Sequence, residues 1–260
     1  MIRIRLTRIA KNNQQTTNLP MKGIPVNTRF NPTANGRLHL GHLYLILLNR
    51  QAAEENGGKF ICRFDDVQNY WVDRLGREQL NRNCELIMED MEWMKIRTIY
   101  SWQSRESEKN EKLIHSLGEL SRSIPVIGSD HRLANIVNQD RPYPYVPYLT
   151  AIKVAQDYWE EINPLIRGDD LTTEFSLYCY FCETLGFPIP QMYYVPKLLQ
   201  ISGEDLSDMS KTTGDHKIDD YRKAGYQPSD LIEILSRSCL EMPQLGWNIR
   251  NIKKHPILIP

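Results

Sequence analysis

The chain has 260 residues, enough for one large domain or a domain with a small appendage, and its 41% hydrophobic and 25% charged residues fit a soluble globular protein. Its 32 Lys and Arg balance 32 Asp and Glu, so no bulk charge marks it as a nucleic-acid binder. No apolar run approaches the roughly 20 residues needed to cross a bilayer, and the N-terminus lacks a secretory apolar stretch. The five cysteines are odd in number and lie in apolar runs, which points to reduced thiols in a cytoplasmic protein with no membrane partner.

In chain order, Ile2, Ile4 and Leu6 alternate with Arg3, Arg5 and Thr7, the pattern of a short amphipathic strand at an edge. A basic arm that touches RNA is the other reading of that segment. Residues 24–30, IPVNTRF, predict a strand running into a polar turn. Leu38, Leu45, Leu48 and Ala52 lie at helical spacing, and Asn56-Gly57-Gly58 ends that helix near Glu55. KFICRFDD, 59–66, predicts an apolar strand that finishes in two carboxylates. Strand, glycine-bearing turn, helix and strand make a βαβ unit, and hence a parallel sheet with ligand sites at its strand ends.

Further on, 73–95 predicts a helix with Leu80, Cys84, Ile87, Met88 and Met91 as its apolar stripe, and 109–120 predicts another. Residues 121–147, rich in Pro, Asp, Asn and Tyr, suggest a looped insertion or lid. YLTAIKVAQDYWEEINPLIRGDD, 148–170, alternates like two strands joined by a turn. A helix from about Thr173 to Gly186, a loop over 202–217 and two helices between Asp219 and Leu240 complete the expectation, with few cues in the last 20 residues.

The residues with the most chemistry are His39-Leu40-Gly41-His42. A zinc pair needs further ligands at motif spacing, and the other histidines, 115, 131, 216 and 255, are isolated. At the start of a helix the two imidazoles can instead donate to phosphate oxygens, with the free N–H groups and dipole of the helix terminus adding to the field. Gly41 lets a flat ligand such as adenine approach the backbone. Met209-Ser210-Lys211, ahead of Gly214, makes a cationic loop suited to gripping pyrophosphate as charge develops on it. Cys179-x-x-Cys182 lies in an aromatic helical run and reads as core.

HLGH followed by MSK resembles the HIGH and KMSKS motifs of class I aminoacyl-tRNA synthetases, and further motifs narrow this to the catalytic core of glutamyl-tRNA synthetase. Arg29–Gly36 (RFNPTANG) resembles that family's RFAPSPTG, and Gly57–Asp66 (GGKFICRFDD) its GGKFILRIED. Met91-Glu-Trp-Met and Gln103-Ser-Arg105 echo two shorter motifs. Ile166–Asp170 (IRGDD) followed by ETLGFPIPQMYYVPKLL, and GDHKIDDYRKAGYQPSDLIEIL after the lysine loop, match later parts of the core. The motifs run in order from about residue 24 to 240.

The resemblance implies an α/β, Rossmann-like class I synthetase catalytic domain. Its core would span 23–66 and 148–215, with an insertion at 67–147, an N-terminal extension at 1–22 and a helical C-terminal segment at 216–260. It implies ATP-dependent activation of an amino acid, glutamate favoured, as the aminoacyl-adenylate, with Mg²⁺ accompanying the ATP. His39, His42 and Lys211 would be catalytic; Gly41, Met209 and Ser210 would join them in holding ATP. Arg29, Thr33, Asp65, Tyr148 and Arg167 would bind the amino acid: Asp65 at the place that receives the α-amino group, Tyr148 with a one-residue offset in spacing. Arg167 has a plain ion pair with Asp169 or Asp170 as its other reading, and Asp65 a helix cap. The acceptor is open between a tRNA, at its 3′ end or a modified base, and a small molecule or carrier. The layout is nearest to the stand-alone paralogue that glutamylates queuosine on tRNA(Asp). That paralogue carries a cysteine zinc site in its insertion, whereas no cysteine lies between Cys84 and Cys179, so no zinc is expected. Asp208 in place of the first KMSKS lysine, together with Asn31, Thr33, Ala34, Asn35 and the shortened Asp65, departs from the family. These changes are what a catalytically inactive, regulatory paralogue would show.

Overall fold

The computed structural model describes residues 25–66, 69–103, 145–168, 171, 174–195, 198–202, 205–208, 216–238 and 256–257. The amphipathic N-terminal segment, the helix expected over 109–120 and the Met209–Lys211 motif lie outside them.

Short apolar runs flanked by turn residues become strands. β1 (Thr28–Phe30), β2 (Phe60–Phe64) and β3 (Ile99–Trp102) form a parallel sheet in that order, with Arg29 opposite Ile61 and Cys62 opposite Tyr100. β4 (Leu165–Gly168) and β5 (Met192–Val195) form a second parallel pair, with Arg167 opposite Tyr194. A parallel bridge between Asn27 and Ile162 joins β4 to the β1 edge, supported by Asn163 N–H donating to Asn27 O at 3.0 Å. The chain therefore builds outward from β1 through β2 and β3, then returns to the other side of β1. Such a reversal opens a crevice at the carboxyl ends of the two central strands. Here those ends carry Phe30-Asn31 and Arg167-Gly168.

Helices cover both faces. α1 (Leu40–Glu55) and the long α2 (Asn69–Trp93) pack with Phe30, Phe64, Leu43, Ile46, Leu80, Ile87 and Met91 in one core. α3 (Tyr145–Trp159) and α4 (Phe175–Leu185) pack on the other face with Ile61, Ala151, Val154, Leu165 and Phe181. α4 ends as expected, with Gly186 in the left-handed conformation at φ 68°. α5 (Ile218–Lys223) and α6 (Pro228–Ser238) follow; Ile218, Tyr221, Leu231 and Leu235 add to the first core.

Three sequence expectations change. Residues 145–159, read as lid and then strand, form α3: their Thr, Ile, Val and Tyr alternate, but Ala151, Val154 and Ala155 meet the core at helical spacing. The loop expected over 202–217 contains strand, because β6 (Leu199–Ser202) and β7 (Asp205–Asp208) pair antiparallel, and β8 (Pro256–Ile257) in the cue-poor tail adds parallel to β6. Finally, α2 and β3 occupy the start of the range assigned to the insertion, yet they pack in the core and on β2.

Gly58 shows how tightly the first βαβ turn is closed. A Cβ there would sit 2.0 Å from Val26 O and 2.3 Å from Val26 C, both backbone atoms. Gly58→Ala must displace the strand leading into β1, and we expect it to cost about 2–3 kcal/mol, measured by urea unfolding. Gly57→Ala, with nothing within 4 Å, carries only the strain of its positive φ of 66° and serves as the comparison.

Candidate active site at the carboxyl edge of the sheet

His39 is the N-cap of α1, and its ring nitrogen Nδ1 accepts the Gly41 N–H at 3.1 Å. His42 reciprocates: its Nδ1 accepts the His39 N–H at 3.3 Å, so imidazoles replace the Ser and Glu of an ordinary capping box. The rings stack, centroids 3.7 Å apart at 27°, and Phe30 meets His42 edge-on at 5.7 Å. Because both Nδ1 atoms accept, the proton of each neutral ring is on Nε2, and each ring is a donor there. Gly41 has a reason of its own. A Cβ would lie 3.0 Å from the His39 ring, so the missing side chain makes room for the cap as well as for any ligand.

The turn before the cap is held by α2. Asn83 Nδ2 donates to Ala34 O, Asp90 Oδ2 accepts the Leu38 N–H at 3.0 Å, and Arg37 reaches Glu89 and Asp90. Burial pushes the Asp90 carboxyl up to about 6, while Leu38 and Arg37 pull it down. Behind the cap, Leu40 N–H donates to His216 O and Ile218 N–H to Leu38 O, so the residues just after the lysine loop are stitched to HLGH. Met209, Ser210 and Lys211 themselves lie outside the described residues.

The residues expected to hold the acid fall around the same edge. Thr33 forms a parallel bridge with Asp65, which directly follows β2 and whose N–H donates to Pro32 O at 2.9 Å. Lys153, from α3, places Nζ 3.9 Å from Asp65 Oδ2. Arg167 on β4 is 5% exposed and donates through Nη2 to Glu174 Oε2 at 2.9 Å. Glu174, and not Asp169 or Asp170, is its observed partner; the latter two are outside the described residues. Burial pushes the Glu174 carboxyl up, but Lys153 and Arg167 outweigh it and hold it below its usual range. Tyr148 is in the first turn of α3, its side chain outside the described set.

Arg29, expected to bind the amino acid, is 5% exposed and engaged by an aspartate. Its Nε and Nη2 form a two-pronged pair with Asp157 Oδ1 and Oδ2 at 2.6 and 2.8 Å. Arg63 Nη1 also reaches Asp157 Oδ1 at 2.8 Å, Tyr178 OH donates to Oδ2 at 2.9 Å, and Arg63 Nη2 pairs with Glu160. Burial raises the Asp157 carboxyl, yet Arg29 and Arg63 together hold it well below the usual carboxylate range. The sequence reading missed Lys153, Asp157, Glu160 and Glu174. The signal was there in part: Lys153, Asp157 and Glu160 stand at i, i+4 and i+7, one face of a helix.

The sequence and the fold resemble those of known proteins. Residues 25–122 match the family model for class I tRNA synthetases (E and Q), catalytic domain. The chain is 24% identical over 276 residues to a glutamate–tRNA ligase of Petrotoga mobilis, a match that spans 86% of this chain and 56% of that protein. It is 26% identical over 284 residues to the glutamate–tRNA ligase of Xanthomonas campestris, 85% and 57% of the two chains. The chain is thus similar to the catalytic part of class I glutamate–tRNA ligases. The crystal structure of the synthetase from Elizabethkingia anophelis superposes with a TM-score of 0.61 at 15% identity, over 90% of this chain and 68% of that one, which establishes the class I synthetase fold. The chain spans a little over half the length of the curated relatives it matches. In this chain the HLGH cap, Thr33–Asp65 and Arg167 come to one edge of the sheet. Cys179 and Cys182 are buried in the α4 core, and burial pushes their thiols up to about 11 and about 12. No described helix is long and apolar enough to cross a membrane.

Proposed function

We propose that the protein activates the carboxylate of glutamate or a similar acid with ATP, forming an acyl-adenylate and pyrophosphate. The observation that supports this most is the pair of stacked, Nδ1-accepting imidazoles on the N-terminus of α1, beside the point where strand order reverses. The substrate carboxylate oxygen attacks the α-phosphorus, the bond from that phosphorus to the bridging oxygen breaks, and pyrophosphate leaves with the electron pair. No protein nucleophile or proton transfer is needed, so catalysis consists of positioning and charge neutralisation. His39 and His42 donate from Nε2 to phosphate oxygens, the helix terminus adds its dipole, and Lys211 meets the departing pyrophosphate. Mg²⁺ enters with the nucleotide. Arg167 orients the acid. The acyl group then passes to an acceptor, a tRNA or a small molecule or carrier.

The test is ATP–pyrophosphate exchange with the full chain across amino acids and related dicarboxylic acids. Exchange that depends on one acid supports activation. No exchange with any of them sinks it in favour of a binding or regulatory paralogue, the reading to which Asp208 and the altered Asn31–Asn35 turn belong. Labelling RNA and metabolite pools from the radioactive acid then identifies the acceptor.

A further inference from the structure

One cation and three carboxylates meet just before the HLGH cap. Arg37, in the turn that leads into α1, donates to Asp90 Oδ1 and, at 2.7 Å, to Glu89 Oε2, both on α2. Its Nε lies 3.7 Å from Asp219 Oδ2 in the first turn of α5. Among the described residues, Arg37 is the one cation paired with Asp90, which is 2% exposed. The elements joined by this side chain also surround the N-terminus of α1. Leu38 N–H donates to Asp90 Oδ2, Leu40 N–H to His216 O and Ile218 N–H to Leu38 O.

The Leu38–Asp90 bond is one residue away from the cap. His39 follows in extended backbone, φ −124° and ψ 172°, which lets its ring turn back onto the Gly41 N–H while its own N–H goes to His42. The direction of both rings therefore follows from where Leu38 is held. A carboxylate that accepts an N–H makes a shorter, stronger bond than a neutral acceptor does, and groups of this kind keep a site in its productive geometry. The charge is costly in this place: burial pushes the Asp90 carboxyl up to about 6, against the pull of Leu38 N–H and Arg37. The fold alone would gain from a neutral acceptor here, so the charge points to a task other than folding.

We propose that Asp90 is a positioning residue for nucleotide binding. Its ionised carboxylate, held by Arg37, fixes Leu38 and so aims the Nε2 donors of His39 and His42 at the phosphates of ATP. The inference rests on the reading of the α1 N-terminus as the phosphate site. Around Asp90 stand Arg37 from the turn, Glu89 beside it on α2, and Asp219 from α5, which is itself paired with Lys223. As pH falls through about 6, Asp90 takes up a proton, its hold on Leu38 and Arg37 slackens, and ATP binding weakens. Stability moves the other way. The folded value lies above the unfolded one of about 3.9, so proton uptake in this window favours the folded chain.

The test is binding of ATP with Mg²⁺ to the full chain by isothermal titration, from neutral pH to below the Asp90 value, for wild type and Asp90→Asn. At neutral pH Asp90→Asn should raise the Kd about tenfold or more, the scale of a small misplacement of binding groups, with an unfolding temperature unchanged or higher. At the acid end the two proteins should converge. His39, His42 and the nucleotide titrate in the same window, but both proteins share them, so the difference between the profiles belongs to Asp90. Arg37→Met, at a side chain 18% exposed, should show the same loss and serves if Asp90→Asn folds poorly. A Kd that stays within about twofold of wild type, parallel pH profiles, or no ATP binding by the wild type overturns the inference. Pyrophosphate exchange, run alongside, separates the two ideas. ATP binding that depends on Asp90 without exchange keeps the positioning role and removes the activation reading. Exchange whose KM for ATP is unmoved in Asp90→Asn does the reverse.

Discussion

Asp157→Asn is expected to destabilise the protein by about 3–5 kcal/mol, the range for breaking one partner out of a buried ion pair. Asp157 accepts four hydrogen bonds, two from Arg29, one from Arg63 and one from Tyr178, which fills the capacity of a carboxylate. An amide in its place removes the charge and turns one acceptor into a donor aimed at guanidinium groups. Arg29 and Arg63, 5% and 0% exposed, would then share Glu160 alone among these carboxylates. Urea unfolding followed by circular dichroism measures the loss; Glu85→Gln, in an exposed pair with Arg82, should stay within about 0.5 kcal/mol. A loss below about 1 kcal/mol for Asp157→Asn would show that the network is not the clasp between α3 and the sheet that its geometry describes. The same carboxyl gives a pH signature. Its folded value lies below the unfolded one of about 3.9, so its contribution is complete above about pH 5 and is lost as pH falls below about 4.

His42→Ala is expected to lower acid-dependent pyrophosphate exchange by about 10²–10³-fold, as for removal of one donor that stabilises transition-state charge. Stability should fall much less, by about 1 kcal/mol, because the lost structural contact is one capping bond from His39 N–H. The contrast is diagnostic. A histidine that merely caps the helix would lose the same stability and leave exchange nearly intact. Lys211→Ala should reduce exchange on the same scale without touching the cap. Unchanged exchange in both variants would remove these residues from the chemistry.

What could be read from the sequence divides by range. The cap, the glycine stop of α1, the β2 strand and the α2 stripe are each written in fewer than about 25 consecutive residues, and each appears where the pattern puts it. The His39–His42 pairing is of this kind. α3 was misread because Tyr148, Thr150, Ile152 and Val154 favour strand locally, and what decides the matter is distant: Arg29 lies 128 positions from Asp157, and Arg63 lies 94 from it. Propensity is a weak prior against such burial. Arg29 illustrates the same limit in function. Its place in the motif suggested substrate, and only the fold reveals the buried aspartate that takes two of its donors. Lys153, Asp157 and Glu160 share one helical face in the sequence, but their partners Asp65, Arg29 and Arg63 are distant along the chain.

The two ends of the segment between Gln103 and Tyr145 have a shared address. β3 finishes at the carboxyl edge, where Gln103 N–H donates to Phe64 O, and α3 descends from that edge, with Lys153 near Asp65 and the Glu160 carbonyl accepting from Asn27. The two flanking elements keep their own anchors there: β3 by its register with β2, and α3 by its contacts with the sheet. A graft cut after Gln103 and rejoined before Tyr145 therefore begins and ends on anchored backbone.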